Sequence, residues 1–312
     1  MKLFLILVGI AAVILCIVYL IAYICYRMAF YSKNDPITEE FPIPDGEIYE
    51  PHREQMVSWI KEVRALPQDD ITISSFDGLK LHGRFYEYSK DAPIELMFHG
   101  YRGNGERDLC GGVQRCFALG HSSLIVDQRA CGNSEGHIIS FGINESRDLL
   151  SWLNYLTTRF PERKIILTGI SMGGATVMIA SSLPLPKNVV GILSDCGYSS
   201  AKEIINIVIS QMKLPPKLAY PFVKLGAKAF GNFDLEERSP IESVKHAKVP
   251  IIFFHGENDD FVPCSMSREC YEACTAKKMI MTVPDAGHGL SYIIDPEGYL
   301  AAVREMEKIW GI

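Results

Sequence analysis

From residue 164 to residue 180 the chain reads KIILTGISMGGATVMIA, and this segment gives the strongest indication of the fold class. It starts with an apolar run of strand length and ends with a run of helical length that opens on small residues. Between them Gly169 and Gly173 flank Ser171 in a G-x-S-x-G pattern, typical of a serine exposed on a sharp strand-to-helix turn. Side chains at the two glycines would clash in so tight a turn. The turn also sets the Ser171 hydroxyl at a helix N-terminus, where developing negative charge is stabilised. Ser171 is therefore the candidate nucleophile.

On both sides of this stretch, apolar runs of strand length alternate with segments of helical length and period. The predicted strands are residues 71–75, 79–88, 94–98, 123–126, 164–168, 189–193, 249–254 and 278–283. The predicted helices between them are residues 106–119, 142–159, 172–182, 264–276 and 297–309. The first two strands flank Asp77-Gly78, a hairpin turn pattern. Continuous apolar strands alternating with helices indicate an α/β fold whose mostly parallel sheet, of about eight strands, is covered by helices on both faces.

One connection is too long for a single crossover helix. About fifty residues separate Asp195 from Val249, and helical patterns at 201–212 and 217–230 are interrupted by Pro215-Pro216. Ligands of open α/β sheets bind outside the carboxyl ends of the strands. We therefore predict a small helical cap, at about residues 199–245, that lies over that edge of the sheet.

The N-terminus is predicted to be a transmembrane anchor, residues 1–27. Residues 3–26 carry no charge and as a helix would span about 36 Å, more than the roughly 30 Å hydrocarbon core of a bilayer. The run is too long for a signal peptide, and no small-x-small cleavage site follows it. Basic residues flank both ends of the anchor, Lys2 on one side and Arg27 and Lys33 on the other. The positive-inside rule therefore hardly distinguishes the two possible orientations of the anchor in the membrane. Unpaired cysteines favour a cytoplasmic domain.

Residues 28–68 hold several prolines among acidic residues and are predicted to be a juxtamembrane linker that ends in a leading helix at 52–66. A single domain then occupies residues 69–312. Apolar residues make up 48% of the chain and charged residues 22%, which suits a globular protein with a sizeable core. The net charge of −6 argues against a nucleic-acid partner, because phosphate binding needs a basic face.

The nine cysteines predict neither a disulfide framework nor a metal site. Seven of them lie beyond the anchor, an odd number in a large domain. Cys264, Cys270 and Cys274 lack the CxxC spacing that zinc sites normally use, and the last two share one helix face as ordinary packing residues. No metal, nucleotide or redox cofactor is expected.

A nucleophilic serine needs a base and a group that orients the base. In folds that carry a serine on this kind of turn, the acid and then the histidine follow it along the chain. His288 follows the last predicted strand, from which a loop can reach over Ser171, and it is the predicted base. The preceding strand leads into HGENDDFVP at residues 255–263. Asp259 is the predicted acid, with Asp260 and Glu257 as alternatives. The predicted role of His99 and His255, each before a glycine at a strand end, is to orient loops by hydrogen bonds.

Four stretches resemble the α/β-hydrolase superfamily, in its serine esterase and peptidase-like branch. HGYRGN at 99–104 is similar to the family's HG loop after the third strand, and DQRACGNSEG at 127–136 is similar to its D-x-R-G-x-G-x-S segment. The pattern around Ser171 is similar to its nucleophile elbow, and 255–263 with His288 to its acid and histidine segments. The likeness runs from about residue 71 to the end. It departs at Ala130 and Cys131, where the family usually has glycine and a larger residue.

The resemblance implies an oxyanion hole formed by the backbone N–H groups of Tyr101 and Met172. It also implies hydrolysis of a small-molecule acyl substrate, with carboxylic esters as the leading hypothesis. A peptidase-like hydrolase and a lipid or thioester hydrolase would use the same three side chains. An alternative of another class is a catalytically silent, membrane-tethered binding module. Arg102 is expected to be an exposed loop residue or, alternatively, a substrate contact.

Overall fold

The apolar runs form one eight-stranded sheet in the computed structural model, which describes residues 1–34 and 39–312. The strands are β1 (Asp69–Ser74), β2 (Lys80–Tyr86), β3 (Ile94–Phe98), β4 (Ser122–Val126), β5 (Ile165–Ile170), β6 (Val189–Asp195), β7 (Ile251–Gly256) and β8 (Lys278–Val283). Their order is β1-β2-β4-β3-β5-β6-β7-β8. β1 pairs with β2, and β2 with β4, in antiparallel fashion, whereas all other pairs are parallel. The predicted fold class is confirmed.

Helices cover both faces of this sheet. The helices are α1 (Lys2–Ala29), α2 (Arg53–Arg64), α3 (Gly105–Asp108), α4 (Gly112–Leu119), α5 (Ile143–Arg159), α6 (Met172–Ala180), α7 (Ala201–Gln211), α8 (Pro216–Phe230), α9 (Pro240–Val244), α10 (Cys264–Ala273), α11 (Ser291–Ile294) and α12 (Pro296–Trp310). The central strands are buried along almost their whole length, because α5 and α6 pack on one side and α12 packs on the other. Parallel strands covered on both faces need this continuous apolar character.

The single helix predicted at 106–119 is wrong, because the chain forms α3 and α4 there with a break between them. The break centres on Gly111, whose φ of +86° lies in the left-handed region. A Cβ atom at this position would also come within 2.6 Å of the Trp59 ring. Only glycine tolerates both this backbone conformation and this close approach, and the left-handed conformation interrupts the helix.

The N-terminal helix α1 is, among the described residues, the one helix long and apolar enough to cross a membrane, with a mean hydropathy of 3.2. Its first five turns carry exposed apolar side chains. Its end is different, because Ala22, Tyr26 and Phe30 are buried at a spacing of four residues. The chain continues into a β-bridge between Tyr31 and Ile138. One face of the last two turns is therefore part of the folded domain.

The predicted cap, residues 199–245, forms α7 and α8, close to the two predicted helices, and a third short helix, α9, that the sequence pattern did not indicate. These helices pack between the end of α1 and the helix α6 that follows Ser171. The closest approach lies at Gly226, where a Cβ atom would come within 2.5 Å of the carbonyl oxygen of Ala22. This segment is called the insertion below.

The predicted linker is more ordered than a tether. Residues 35–38 of it lie outside the described residues. Farther on, Ile43, Tyr49, Met56 and Ile60 are buried, and they form a cluster with apolar residues at the end of β8 and in the loop after it. Residues 39–60, called the juxtamembrane segment below, thus pack on the loop that carries His288.

Candidate active site

Ser171 occupies the sharp turn between β5 and α6. Its φ of +56° and ψ of −117° lie far from strand and helix values, and its N–H donates to the carbonyl of Asp195 at 2.9 Å. A Cβ atom at Gly169 would overlap the carbonyl of Gly173, and one at Gly173 would overlap the carbonyl of Phe98. Both glycines are thus required by backbone contacts on either side of the serine, which is the physical basis of the sequence pattern.

The structure brings Ser171, His288 and Asp259 into one hydrogen-bonded chain. His288 Nε2 lies 2.9 Å from Ser171 Oγ, and His288 Nδ1 lies 2.7 Å from Asp259 Oδ2. The three residues come from turns after β5, β7 and β8, which end at the same edge of the sheet. With Nδ1 donating to the carboxylate, Nε2 is free to accept a proton from the serine hydroxyl.

The surroundings of Asp259 favour the charged form of its carboxyl group. Burial by itself would raise the pKa of this carboxyl, but hydrogen bonds from His255 and His288 outweigh that effect and lower the pKa to about 2. Its second oxygen accepts the N–H groups of Phe261 and Val262 at 3.0 and 2.8 Å. Donors on both oxygens hold the carboxylate in the plane of the His288 ring and stabilise its charged form.

The two alternative acids lie elsewhere. Asp260 is exposed at the rim of the cavity described below, and Glu257 accepts a hydrogen bond from Thr282 Oγ1 at 2.6 Å on the outer surface. His255 has the orienting role predicted from the sequence, because its ring contacts Ser267 Oγ at 2.7 Å and the carbonyl of Val262 at 2.8 Å. Of the three candidate carboxylates, Asp259 is the one that the fold brings to His288.

The HG loop passes directly beside the serine. A Cβ atom built on Gly100 would lie 3.5 Å from Ser171 Cβ, and Tyr101 is the next residue of this loop. Met172 is the first residue of α6, where a backbone N–H has no intrahelical acceptor. Within the described part of the chain neither N–H donates to a protein acceptor. The backbone in that part of the chain therefore leaves two donors without a protein acceptor, one in the residue after Ser171 and one in the loop beside it.

Buried polar groups hold the HG loop in place. His99 Nε2 accepts the N–H of Gln128 at 2.9 Å, and the amide of Gln128 donates to the His99 carbonyl at 2.6 Å. The Gly100 N–H donates to Asp108 Oδ2 at 2.9 Å. The predicted orienting role of His99 is confirmed by these contacts. The departure at Ala130 is accommodated by a left-handed backbone, with φ at +61°.

The side chains of the HG loop reach the end of α1. The Tyr101 hydroxyl donates to the carbonyl of Ala29 at 2.9 Å, and the Arg102 guanidinium donates to the carbonyls of Met28 and Tyr31 at 2.9 Å each. The carbonyls of a last helical turn have no intrahelical partners, so these donors satisfy groups that the helix leaves open. Arg102 is exposed, as expected, but its contacts tie the loop to α1.

A cavity of about 570 Å³ opens above Ser171, within the range of small-molecule sites. The HG loop and the residues around His288 form its base. Its remaining wall comes from the juxtamembrane segment, through Tyr49, Met56 and Trp59 among others. No residue of the insertion lines it, within the part of the chain that the structure describes. The position predicted for the cap is therefore corrected: the insertion packs beside α1, and residues 44–59 cover the serine.

Sequence reasoning missed these lining residues. Tyr49 donates its hydroxyl to the backbone carbonyl of His288 at 3.0 Å, and Trp59 stacks on Tyr292 with ring centroids 5.8 Å apart. The apolar spacing of Met56 and Ile60 indicates one buried helix face. That periodicity indicates that one face of α2 is buried, but it does not identify the loop after β8 as the surface that buries it.

Metal ligation has one geometric candidate in residues 1–34 and 39–312. The side chains of Cys196, Asp259 and His288 have donor atoms within 4.8 Å of one another. Burial raises the pKa of the Cys196 thiol well above its ordinary value, and a neutral thiol is a poor ligand. The other two are already hydrogen-bonded to each other. Cys270 and Cys274 lie in the main core cluster, as the packing interpretation predicts.

Comparison with known proteins agrees with this architecture. A family model for the alpha/beta hydrolase fold matches residues 96–237, which include the HG loop and Ser171. A Bacillus subtilis protein, YqkD, is 26% identical over 189 residues, and the match spans 60% of this chain and 62% of that protein. A membrane protein of Saccharomyces cerevisiae is 24% identical over 247 residues, covering 78% of this chain and 80% of the relative.

Among solved structures, an esterase of Pyrococcus furiosus superposes with a TM-score of 0.65 at 23% identity. The superposition covers 90% of this chain and 99% of the esterase. At this level of identity the likeness demonstrates the fold alone.

Proposed function

Because this chain belongs to the α/β-hydrolase superfamily, we propose that it is a membrane-anchored serine hydrolase that cleaves carboxylic esters of small or medium acyl groups. The observation that carries the proposal is the hydrogen-bonded chain from Ser171 through His288 to Asp259, at the base of a cavity large enough for a small molecule. A neutral imidazole between a hydroxyl and a buried carboxylate is the arrangement that activates a serine for nucleophilic attack.

In the proposed reaction, Ser171 Oγ attacks the acyl carbonyl carbon while His288 Nε2 takes the hydroxyl proton. His288 then gives this proton to the departing alcohol, and the acyl group remains on Ser171 as an ester. Water, activated by the same nitrogen, hydrolyses the acyl-enzyme and regenerates the serine. Asp259 holds His288 in the tautomer with a proton on Nδ1 and stabilises the imidazolium formed in each half-reaction.

The oxyanion hole of this proposal consists of the N–H groups of Tyr101 and Met172. Both are backbone donors that lack a partner among the described residues, one in the residue after Ser171 and one in the loop beside it. Because α6 begins at Met172, the partial positive charge of the helix N-terminus adds to the field at the developing oxyanion. Loss of one such donor typically costs about 3 kcal/mol in the barrier.

Labelling by a fluorophosphonate probe tests the nucleophile directly. The full-length wild-type protein should become labelled, and Ser171→Ala should lose both the label and ester hydrolysis, with kcat reduced by about 10⁴- to 10⁶-fold. The exposed Ser210→Ala, on α7, is the matched control and should be labelled like the wild type. Equal labelling of both variants would disprove the assignment. An unlabelled wild-type protein would instead favour the binding-module alternative.

Substitution of two adjacent aspartates tests which carboxylate orients His288. Asp259→Asn should lower kcat by about 10⁴-fold, because an amide at this position favours the wrong imidazole tautomer. Asp260→Asn removes the same charge one residue away and should leave kcat within a few fold of the wild type. The reverse ranking would reassign the acid to Asp260.

Substrate class is decided by kcat/KM for matched ester, thioester and aminoacyl-anilide substrates. We expect the ester to be cleaved fastest. A preference for the anilide would favour the peptidase-like alternative, and a preference for the thioester would favour a lipid or thioester hydrolase.

The membrane part of the proposal rests on α1, and it predicts that the full-length protein stays in the membrane pellet after alkaline carbonate extraction. We place the domain on the cytoplasmic side, where its cysteines would remain reduced.

A further inference from the structure

Another cavity, of about 410 Å³, lies at the end of α1 on the outer side of the HG loop. Arg27, in the last turn of α1, and Lys33, just beyond the helix, contribute two of its walls. Arg102 of the HG loop contributes a third. Three exposed cationic side chains thus converge on one depression in a protein whose net charge is −6.

None of the three cations makes an ion pair with a carboxylate in residues 1–34 and 39–312. Two acids, Asp108 and Asp127, lie directly behind the lining residues Gly103 and Gly132. Asp108 is paired with a different arginine at 2.7 Å, and Asp127 accepts two backbone N–H groups at 3.0 Å. Neither of these two acids forms an ion pair with any of the three cations.

The cations are also held in position. The Arg27 guanidinium lies 3.8 Å above the centre of the Tyr31 ring, and that ring stacks in turn on His137 at 5.6 Å. Arg102 is fixed by its two hydrogen bonds to carbonyls at the end of α1. Side chains that are already ordered lose less entropy when they bind an anion, so two of the three cations are pre-organised.

The position along α1 identifies the source of the anion. The apolar run ends at Tyr26, and Arg27 follows it directly. When the exposed part of this run spans the hydrocarbon core, the cavity lies at the depth of the phospholipid headgroups. Clusters of basic residues next to a membrane-spanning helix attract anionic lipids, and arginine suits the geometry of phosphate oxygens.

We infer that this cavity binds the phosphodiester headgroup of an anionic phospholipid through Arg27, Lys33 and Arg102. The inference rests on the proposed membrane insertion of α1 and is independent of the serine chemistry. Because Arg102 belongs to the same loop as the proposed oxyanion donor Tyr101, a bound lipid contacts the loop from its outer side while the acyl substrate contacts its inner side.

The test uses the full-length protein in detergent micelles, titrated with dihexanoyl phosphatidylglycerol, dihexanoyl phosphatidylcholine or inorganic phosphate. Native mass spectrometry measures bound lipid or ion. The wild type should bind phosphatidylglycerol at least about tenfold more tightly than phosphatidylcholine. The double variant Arg27→Gln/Lys33→Gln should lose about 10- to 30-fold in affinity for phosphatidylglycerol, because each basic residue contributes about 1 kcal/mol near an anionic headgroup.

The matched control is Lys187→Gln/Lys248→Gln, which removes the same charge from two exposed residues that precede β6 and β7 at the opposite edge of the sheet. It should keep the wild-type preference, and both double variants should label with fluorophosphonate like the wild type. The proposal is overturned by a double variant at 27 and 33 that retains the lipid preference, or by an equal loss in the control. Inorganic phosphate binding as tightly as phosphatidylglycerol would also overturn it, in favour of a soluble anion.

Discussion

Two segments lie outside the regular alternation of strands and helices, and they have opposite relations to Ser171. The insertion, residues 199–245, has the length and helical pattern of a cap, yet it packs on the end of α1. The juxtamembrane segment, residues 39–60, has the composition of a linker, yet it lines the cavity above the serine. The segment predicted to be the cap thus lies beside the membrane-proximal helix, and the segment predicted to be a linker covers the active-site serine.

The difference follows from where α1 ends. Phe30 and Tyr31 lie beside the HG loop, next to the carboxyl edge of the sheet, whereas β1 lies at the far end of the strand order. The chain between them has to pass near the active-site edge, and its apolar side chains bury themselves against the loop after β8. A cover over an active site can therefore come from a connection whose path is imposed by its two ends, without any long insertion.

The contact between the insertion and α1 offers the largest effect on stability. Gly226→Leu places a side chain where even a Cβ atom lies 2.5 Å from the Ala22 carbonyl, so the two helices have to separate. We expect the free energy of unfolding to fall by about 1–3 kcal/mol, as for other overpacked sites. Thermal unfolding of the full-length protein in detergent measures this loss.

The control for Gly226→Leu is Ala229→Leu, which adds the same side chain to the exposed face of α8 and should leave the unfolding temperature unchanged. Folded Gly226→Leu protein should still be labelled by fluorophosphonate at the wild-type rate, because the insertion does not line the cavity. A lowered labelling rate at unchanged stability would contradict this division between the two segments.

The wall of the cavity offers the next largest effect. Trp59→Ala removes an aromatic side chain that stacks on Tyr292 and faces the cavity. KM for a medium-chain ester should rise about tenfold while kcat changes little, because apolar contact with the acyl group is lost in the ground state and the transition state alike. Leu218→Ala, an exposed apolar residue of α8, should leave KM unchanged. A larger effect at Leu218 would restore the insertion as the substrate cap.

The smallest effect is expected at Tyr49. Tyr49→Phe keeps the ring in the cavity wall and removes the hydrogen bond to the His288 carbonyl, which is worth about 1 kcal/mol. We expect kcat to fall about fivefold with KM unchanged, since the loop that carries the base is held less firmly. The insertion supplies a matched variant in Tyr220→Phe, whose hydroxyl contacts Glu236 at 2.9 Å. Steady-state kinetics should show no change in kcat for Tyr220→Phe.

Much of the proposed site could be predicted because its elements are short and local. Gly169 and Gly173 mark the turn at Ser171, and the ends of successive strands place Asp259 and His288 at the same edge of the sheet. The bounds of the helices were predicted less accurately than the site residues. The break between α3 and α4 depends on contact between Gly111 and Trp59, which lie 52 positions apart, so local periodicity does not show it.

The fold class, the apolar N-terminal helix and the residues proposed for the chemistry could all be predicted from the sequence. These properties depend on the order of apolar runs and on turns whose backbone demands glycine. The folded arrangement was needed to see which segment covers Ser171, to choose Asp259 over the two alternative acids, and to see that the HG loop is tied to α1. Such pairings depend on where distant surfaces come together, and an amphipathic segment carries no record of the partner against which it is buried.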